Sequence, residues 1–102
     1  MAQAPTAPGT GVELDLERLA RVRQLRPHKV IVLDCQCHSF DDVELALCRV
    51  LPGMTRSRAH EHAWEIHTTG ASVVATAALE RAEHYCSQLA RRGLRVRLEE
   101  DS

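Results

Sequence analysis

The chain has 102 residues with 13 basic and 14 acidic side chains, for a formal charge of −1. That length fits one domain with a single modest core. The charge balance offers neither the basic footprint of a nucleic-acid binder nor a polybasic membrane anchor, and no apolar run approaches the ~20 residues of a membrane span.

Residues 1–11 carry Pro5, Pro8, Gly9 and Gly11 among small side chains, without the charged start or apolar stretch of a secretion signal. They are expected to form a disordered tail. Cys35, Cys37, Cys48 and Cys86 therefore do not point to a disulfide framework, and the expected compartment is the cytoplasm. Residues 12–27 form an N-terminal extension with two readings. Val12 to Leu16 alternates like a strand, whereas Leu16, Leu19 and Ala20 fit a helix capped by Asp15. Pro27 ends it either way.

From His28 the signals sharpen. Lys29 to Asp34 is a short β-branched run suited to a buried strand. A loop from Cys35 to His38 follows, and Ser39 caps a helix with Asp42 placed for a capping box. Val43, Ala46, Leu47, Val50 and Leu51 fall on one face of that helix, which Pro52-Gly53 stops. Thr55 caps a second helix with Ala59, Ala63 and Ile66 inward and Gly70 just past its end. Ser72 to Ala75 reads as a second strand, and Thr76 as the cap of a third helix burying Leu79, Ala82, Cys86 and Leu89 and ending at Gly93. Leu94 to Leu98 alternates apolar residues with Arg95 and Arg97, the pattern of a strand with one wet face, before a solvated acidic end.

The order β-α-α-β-α-β over residues 28–102 predicts an α+β two-layer sandwich, a three-stranded sheet covered by three helices. The expected core comprises Val30, Val32, Val43, Leu47, Val50, Ile66, Val73, Leu79, Leu89, Val96 and Leu98.

Few residues carry a chemical signature. Cys35, Cys37 and His38 offer soft ligands that suit Zn²⁺ or Cu⁺, but one Cys-x-Cys-His is far weaker than paired Cys-x-x-Cys motifs, and no metal or other cofactor is expected. His60, Glu61 and His62 lack the His-Glu-x-x-His spacing and read as solvated. Cys48 and Cys86 read as small core or boundary residues. Arg91, Arg92, Arg95 and Arg97 read as a solvated face, without a nucleic-acid role. With no phosphate loop, nucleophile elbow or acid/base carboxylate pair, the chain reads as a binding module and not an enzyme.

Three segments carry a resemblance. His28-Lys-Val-Ile-Val-Leu-Asp34 resembles a first strand Tyr-Lys-Val-Ile-Leu-Leu-Asn, and Trp64-Glu-Ile-His67-Thr-Thr-Gly70 resembles a Val-His-x-x-Gly helix end. Glu80-Arg-Ala-Glu83 resembles the start of a Glu-Val-Ala-Glu-Thr-Lys helix. Together they resemble the ClpS adaptor family from about His28 to Asp101. The resemblance implies a monomeric cytoplasmic adaptor that binds substrate N-termini and passes them to a Clp-type AAA+ unfoldase for proteolysis, with no membrane partner.

It also implies a peptide pocket of Asp34, Cys35, Gln36, His38, Phe40, Val43, Ala63, Ile66, His67 and Leu94, and unfoldase contacts at Glu80, Glu83 and Tyr85. The departures lie in the pocket. Asp34-Cys35-Gln36 replaces the family's Asn-Asp-Asp, His38 its Thr, Phe40 its Met, and Ala63 a Met of many members. Tyr85 stands for a Lys of the third helix. Two alternatives follow from these changes: a related module that binds a dedicated partner protein, and a Cys/His metal-binding protein using the same groove.

Overall fold

The computed structural model describes residues 16–101. The expected tail and Asp15 lie outside them. Residues 16–25 are helical (α1), so the strand reading of Leu16 gives way to the helical one. Leu16, Leu19, Val22 and Leu25 are all exposed on it, and α1 therefore adds nothing to the core.

The sheet has the order β2-β1-β3 and both pairings are antiparallel. Its central strand β1 spans Pro27–Leu33, flanked by β2 (Ala71–Ala78) and β3 (Arg95–Glu100). Val30 and Val32 are almost fully buried, which their β-branched shape suits on a packed pleated face. Val30 pairs with Ala75 and Leu98, and Val32 with Ser72 and Val96, the register shifting between Val30 and Ile31 on the β2 side.

Helix α2 covers Phe40–Val50, α3 Arg56–Thr69 and α4 Leu79–Arg91. The Ser39 hydroxyl accepts the Asp42 amide, and the Asp42 carboxylate accepts the Ser39 amide, both at 3.2 Å. This reciprocal cap satisfies two donors that a helix start leaves orphaned, and Asp41 and Asp42 complement the positive end of the dipole. The Thr55 hydroxyl caps α3, and Gly70 ends it at φ 95°. That left-handed conformation favours glycine. Helix α4 lies over all three strands, α3 packs on β2, and α2 packs on both α3 and α4. Leu47 and Leu89 meet Val30 and Val32 between the layers.

The expected β-α-α-β-α-β order holds, with α1 preceding it, and two details change. Thr76 does not cap a helix: β2 continues through it to Ala78, and α4 starts without a side-chain cap. Val73 is 43% exposed, because Ser72 and Val74 point inward instead. Ser72 is accommodated because its hydroxyl donates to the Glu65 carboxylate and accepts the Nδ1–H of His62 at 2.8 Å. His62 is thus half-buried and not solvated. Val43, Val50, Leu79, Val96 and Leu98 pack only half-buried at the core's margin.

Candidate cleft between the loop after the first strand and the third helix

At the end of β1 the chain must turn from sheet to helix, and this turn makes one wall of a cleft. The Asp34 amide donates to the carbonyl of Gly70 at 2.9 Å, tying the strand end to the α3–β2 junction. At the other end of the loop, His38 Nε2 donates to the carbonyl of Gly93 at 2.8 Å. That contact needs glycine twice over. Gly93 sits at φ 93°, and a Cβ there would lie 2.9 Å from His38 Nε2. His38 is therefore a staple between the loop and the α4–β3 turn as well as a cleft residue. Its Nδ1 lies 3.9 Å from the Asp42 carboxylate.

The resulting cavity has a volume of about 470 Å³. All ten of the pocket positions named from the sequence lie around it: Asp34, Cys35, Gln36, His38, Phe40, Val43, Ala63, Ile66, His67 and Leu94. The structure adds Val32, Leu33 and Ser39. The strand pattern places Val32 inward, and Ser39 reads as a helix cap. Nothing local marked either as lining a cleft.

The cavity has two parts. Its floor is core: Val32, Ala63, Ile66 and Leu94 are all buried. Its rim is polar or aromatic and much more open, with Asp34, Gln36 and His67 exposed. Phe40, at the first position of α2, packs edge-on against His67 (5.3 Å between ring centroids) and Trp64 (5.6 Å). Trp64 stacks on His67 at 5.8 Å although it is 56% exposed. No motif or spacing in the sequence gives Trp64 a role of its own. It holds the His67 ring from the outer side, and its α3 position three residues before His67 was the only signal for that.

An apolar floor with a carboxylate and an imidazole at its rim suits a ligand that ends in a cation and carries an apolar group. A buried cation is tolerated only where acceptors meet it. Asp34 supplies carboxylate oxygens, and His67 supplies a ring nitrogen.

The loop's cysteines are not free ligands, because Cys35 and Cys37 form a disulfide. The bridge spans one residue and cross-links no distant segments, so it is not a framework. Among the described residues, no group of three or more His, Cys, Asp or Glu side chains is arranged to hold a metal ion. Cys48 and Cys86 are half-buried thiols, and burial pushes the Cys86 thiol pKa up, with Glu83 adding to the shift.

None of Glu80, Glu83 and Tyr85 lines the cleft. Glu80 and Glu83 are exposed on α4. Tyr85 is half-buried and packs against the core, so only part of its ring is open to a partner. A second polar group joins α2 and α3, where the buried Glu44 carboxylate meets His60 Nδ1 at 2.6 Å and Arg56 at 3.5 Å.

A family model described as ATP-dependent Clp protease adaptor protein ClpS matches residues 23–97. A Clp protease adapter ClpS from Synechocystis is 40% identical over 74 residues, covering 72% of this chain and 76% of the relative. The chloroplastic adapter CLPS1 of Arabidopsis thaliana is 33% identical over 96 residues, covering 94% of this chain and 59% of the relative. Among solved structures, Agrobacterium tumefaciens ClpS2 bound to L-phenylalaninamide superposes with a TM-score of 0.72 at 19% identity, over 76% of this chain and 99% of that one. At that identity the likeness speaks for the fold. No described helix is long and apolar enough to cross a membrane.

Proposed function

Because this chain belongs to the ClpS family of Clp protease adaptors, we propose that its cleft binds the free N-terminus of a substrate protein with an apolar first residue, for delivery to a Clp-type AAA+ unfoldase in the cytoplasm. One observation carries this reading: a carboxylate, an imidazole and an aromatic lip converge on a cavity whose floor is apolar core. An α-amino group has a pKa near 7.7–8.0 and is mostly charged at neutral pH. Asp34 pairs with that ammonium, and a ring nitrogen of His67 accepts a further hydrogen bond. Val43, Ala63, Ile66 and Leu94 enclose the first side chain, with Phe40 as the lip.

The relative with the same fold was solved with L-phenylalaninamide, a compound with a free α-amine beside an aromatic side chain, which supports the reading. Replacing Asn by Asp34 keeps one negative charge in the pocket although the family's adjacent acidic residues are Cys35 and Gln36 here. The exposed carboxylates Glu80 and Glu83 lie on one face of α4. We assign this face, with the open part of Tyr85, to the unfoldase. The chain acts as a non-catalytic monomer: its cleft holds and releases, and no bond is made or broken.

The test is fluorescence anisotropy with peptides matched in all but their first residue and their Nα-acetylation. Free peptides with an apolar first residue bind, and acetylation, which removes the charge, weakens binding at least as much as loss of Asp34. Equal affinity for free and acetylated peptides rejects the reading and leaves a groove for a dedicated partner protein. For delivery, charge reversal at Glu80 and Glu83 abolishes co-purification with a Clp unfoldase but leaves peptide affinity unchanged.

A further inference from the structure

The loop that presents Asp34 is pinned on both sides of its cysteines and hardly at all between them. On one side is the Asp34 amide bond to Gly70; on the other are the His38 bond to Gly93 and the Ser39–Asp42 cap. Between these anchors the described hydrogen bonds include only a long one, from the His38 amide to the Cys35 carbonyl at 3.4 Å. The Cys35–Cys37 bridge is what fixes this stretch. Its two halves face different surroundings. Cys35 is half-buried and lines the cleft, whereas Cys37 is exposed and does not. A reagent in solution therefore reaches Cys37 directly, and the consequence is felt at Cys35, next to Asp34.

We propose that Cys35 and Cys37 form a reversible thiol–disulfide modification site that sets how firmly the cleft's polar wall is held. The bridged form is the one with higher affinity for peptide N-termini. This rests on the cleft being the N-terminus site.

The chemistry needs an external disulfide, such as a low-molecular-weight one. The Cys37 thiolate attacks one of its sulfurs and releases a thiolate, leaving a mixed disulfide on Cys37. The Cys35 thiolate then displaces the second thiol and closes the bridge. The two protein thiols lose two protons and two electrons, and the external disulfide becomes two thiols. A dithiol reductant reverses both steps. Cys86 competes poorly, since its raised pKa leaves less thiolate. When the bridge opens, residues 35–37 regain backbone freedom that peptide binding must then remove. Ordering of this kind weakens affinity by roughly three- to tenfold for a few residues.

The experiment equilibrates the full chain in buffers of oxidised and reduced glutathione and takes three readings. Alkylation with mass spectrometry counts free thiols, amide hydrogen exchange follows residues 34–40, and anisotropy measures a free-amine peptide with an apolar first residue. The expected result in oxidised buffer is that Cys35 and Cys37 resist alkylation, the loop amides exchange more slowly, and the peptide binds three- to tenfold tighter. Cys37→Ser keeps the weaker affinity in both buffers. The proposal is overturned if both residues stay alkylatable in oxidised buffer, if loop exchange is the same in the two states, or if affinity is. Should no peptide bind in either state while thiol protection and loop exchange still respond, the modification site stands and the N-terminus reading falls.

Discussion

The floor and the rim of the cleft are built on different terms. Floor residues such as Ile66 and Val32 are core side chains that happen to border a cavity, so the fold depends on them whether or not a ligand comes. Rim residues such as Asp34, Gln36 and His67 are exposed, and the packing of the fold does not rest on them. A protein built this way keeps its shape while its recognition chemistry changes. The replacements of Asn-Asp-Asp by Asp34-Cys35-Gln36 are confined to the rim.

The sharpest way to break that contrast is Ile66→Ala. A buried aliphatic residue cut to alanine destabilises by about 2–5 kcal/mol. Urea denaturation should show that loss, and an unchanged midpoint would mean that the floor is not core. Asp34→Ala should do the reverse. Losing a hydrogen bond to a charged group costs about 1.5–3 kcal/mol of binding, roughly ten- to a hundredfold in affinity. The same denaturation curve should barely move. Ser39→Ala tests the boundary between the two regions, since the residue both caps α2 and lines the cavity. Cap removal typically destabilises by about 1 kcal/mol, seen as a small drop in thermal midpoint.

The smallest effect lies outside the cleft. Burial, then the nearby Arg58 charge, holds the His62 pKa below 6.5. The folded state therefore takes up this proton less readily than the unfolded one, and stability falls as pH drops through about 6.5. His62→Gln should flatten that part of the stability–pH curve. A slope identical to that of the native chain would show that His62 is not its source.

The same contrast governs what was legible in the sequence. Residues of the floor and core repeat with helical or strand spacing, so Ala63, Ile66 and Val32 were placed inward from pattern alone. The second strand was harder. Two adjacent valines hide the phase of the alternation, and the inward choice of Ser72 depends on His62 and Glu65 from α3, which no local pattern encodes. The run from Ala75 to Ala78 suits helix and strand alike, so the sequence offers a cap at Thr76 where the strand in fact continues. The rim is set by contacts across the chain, His38 with Gly93 and Asp34 with Gly70, and spacing alone is silent about both. Resemblance to a family gathered the rim positions together; periodicity did not. Nor did one residue between Cys35 and Cys37 distinguish a metal pair from a bridged one.

The sheet order has a consequence for how the chain is made. Of the three described strands β1 leaves the ribosome first, yet it lies at the centre of the sheet, between partners that both come later. Its pairing with β3 joins His28 to Glu100. At about 5–20 residues per second, the 61 residues between the two strands (34–94) take several seconds to synthesise. For that time the Val-Ile-Val run of β1 has at least one unpaired edge, open to other nascent chains. Only when β3 follows is this sheet complete, so the central strand of the adaptor waits longest for its full set of partners.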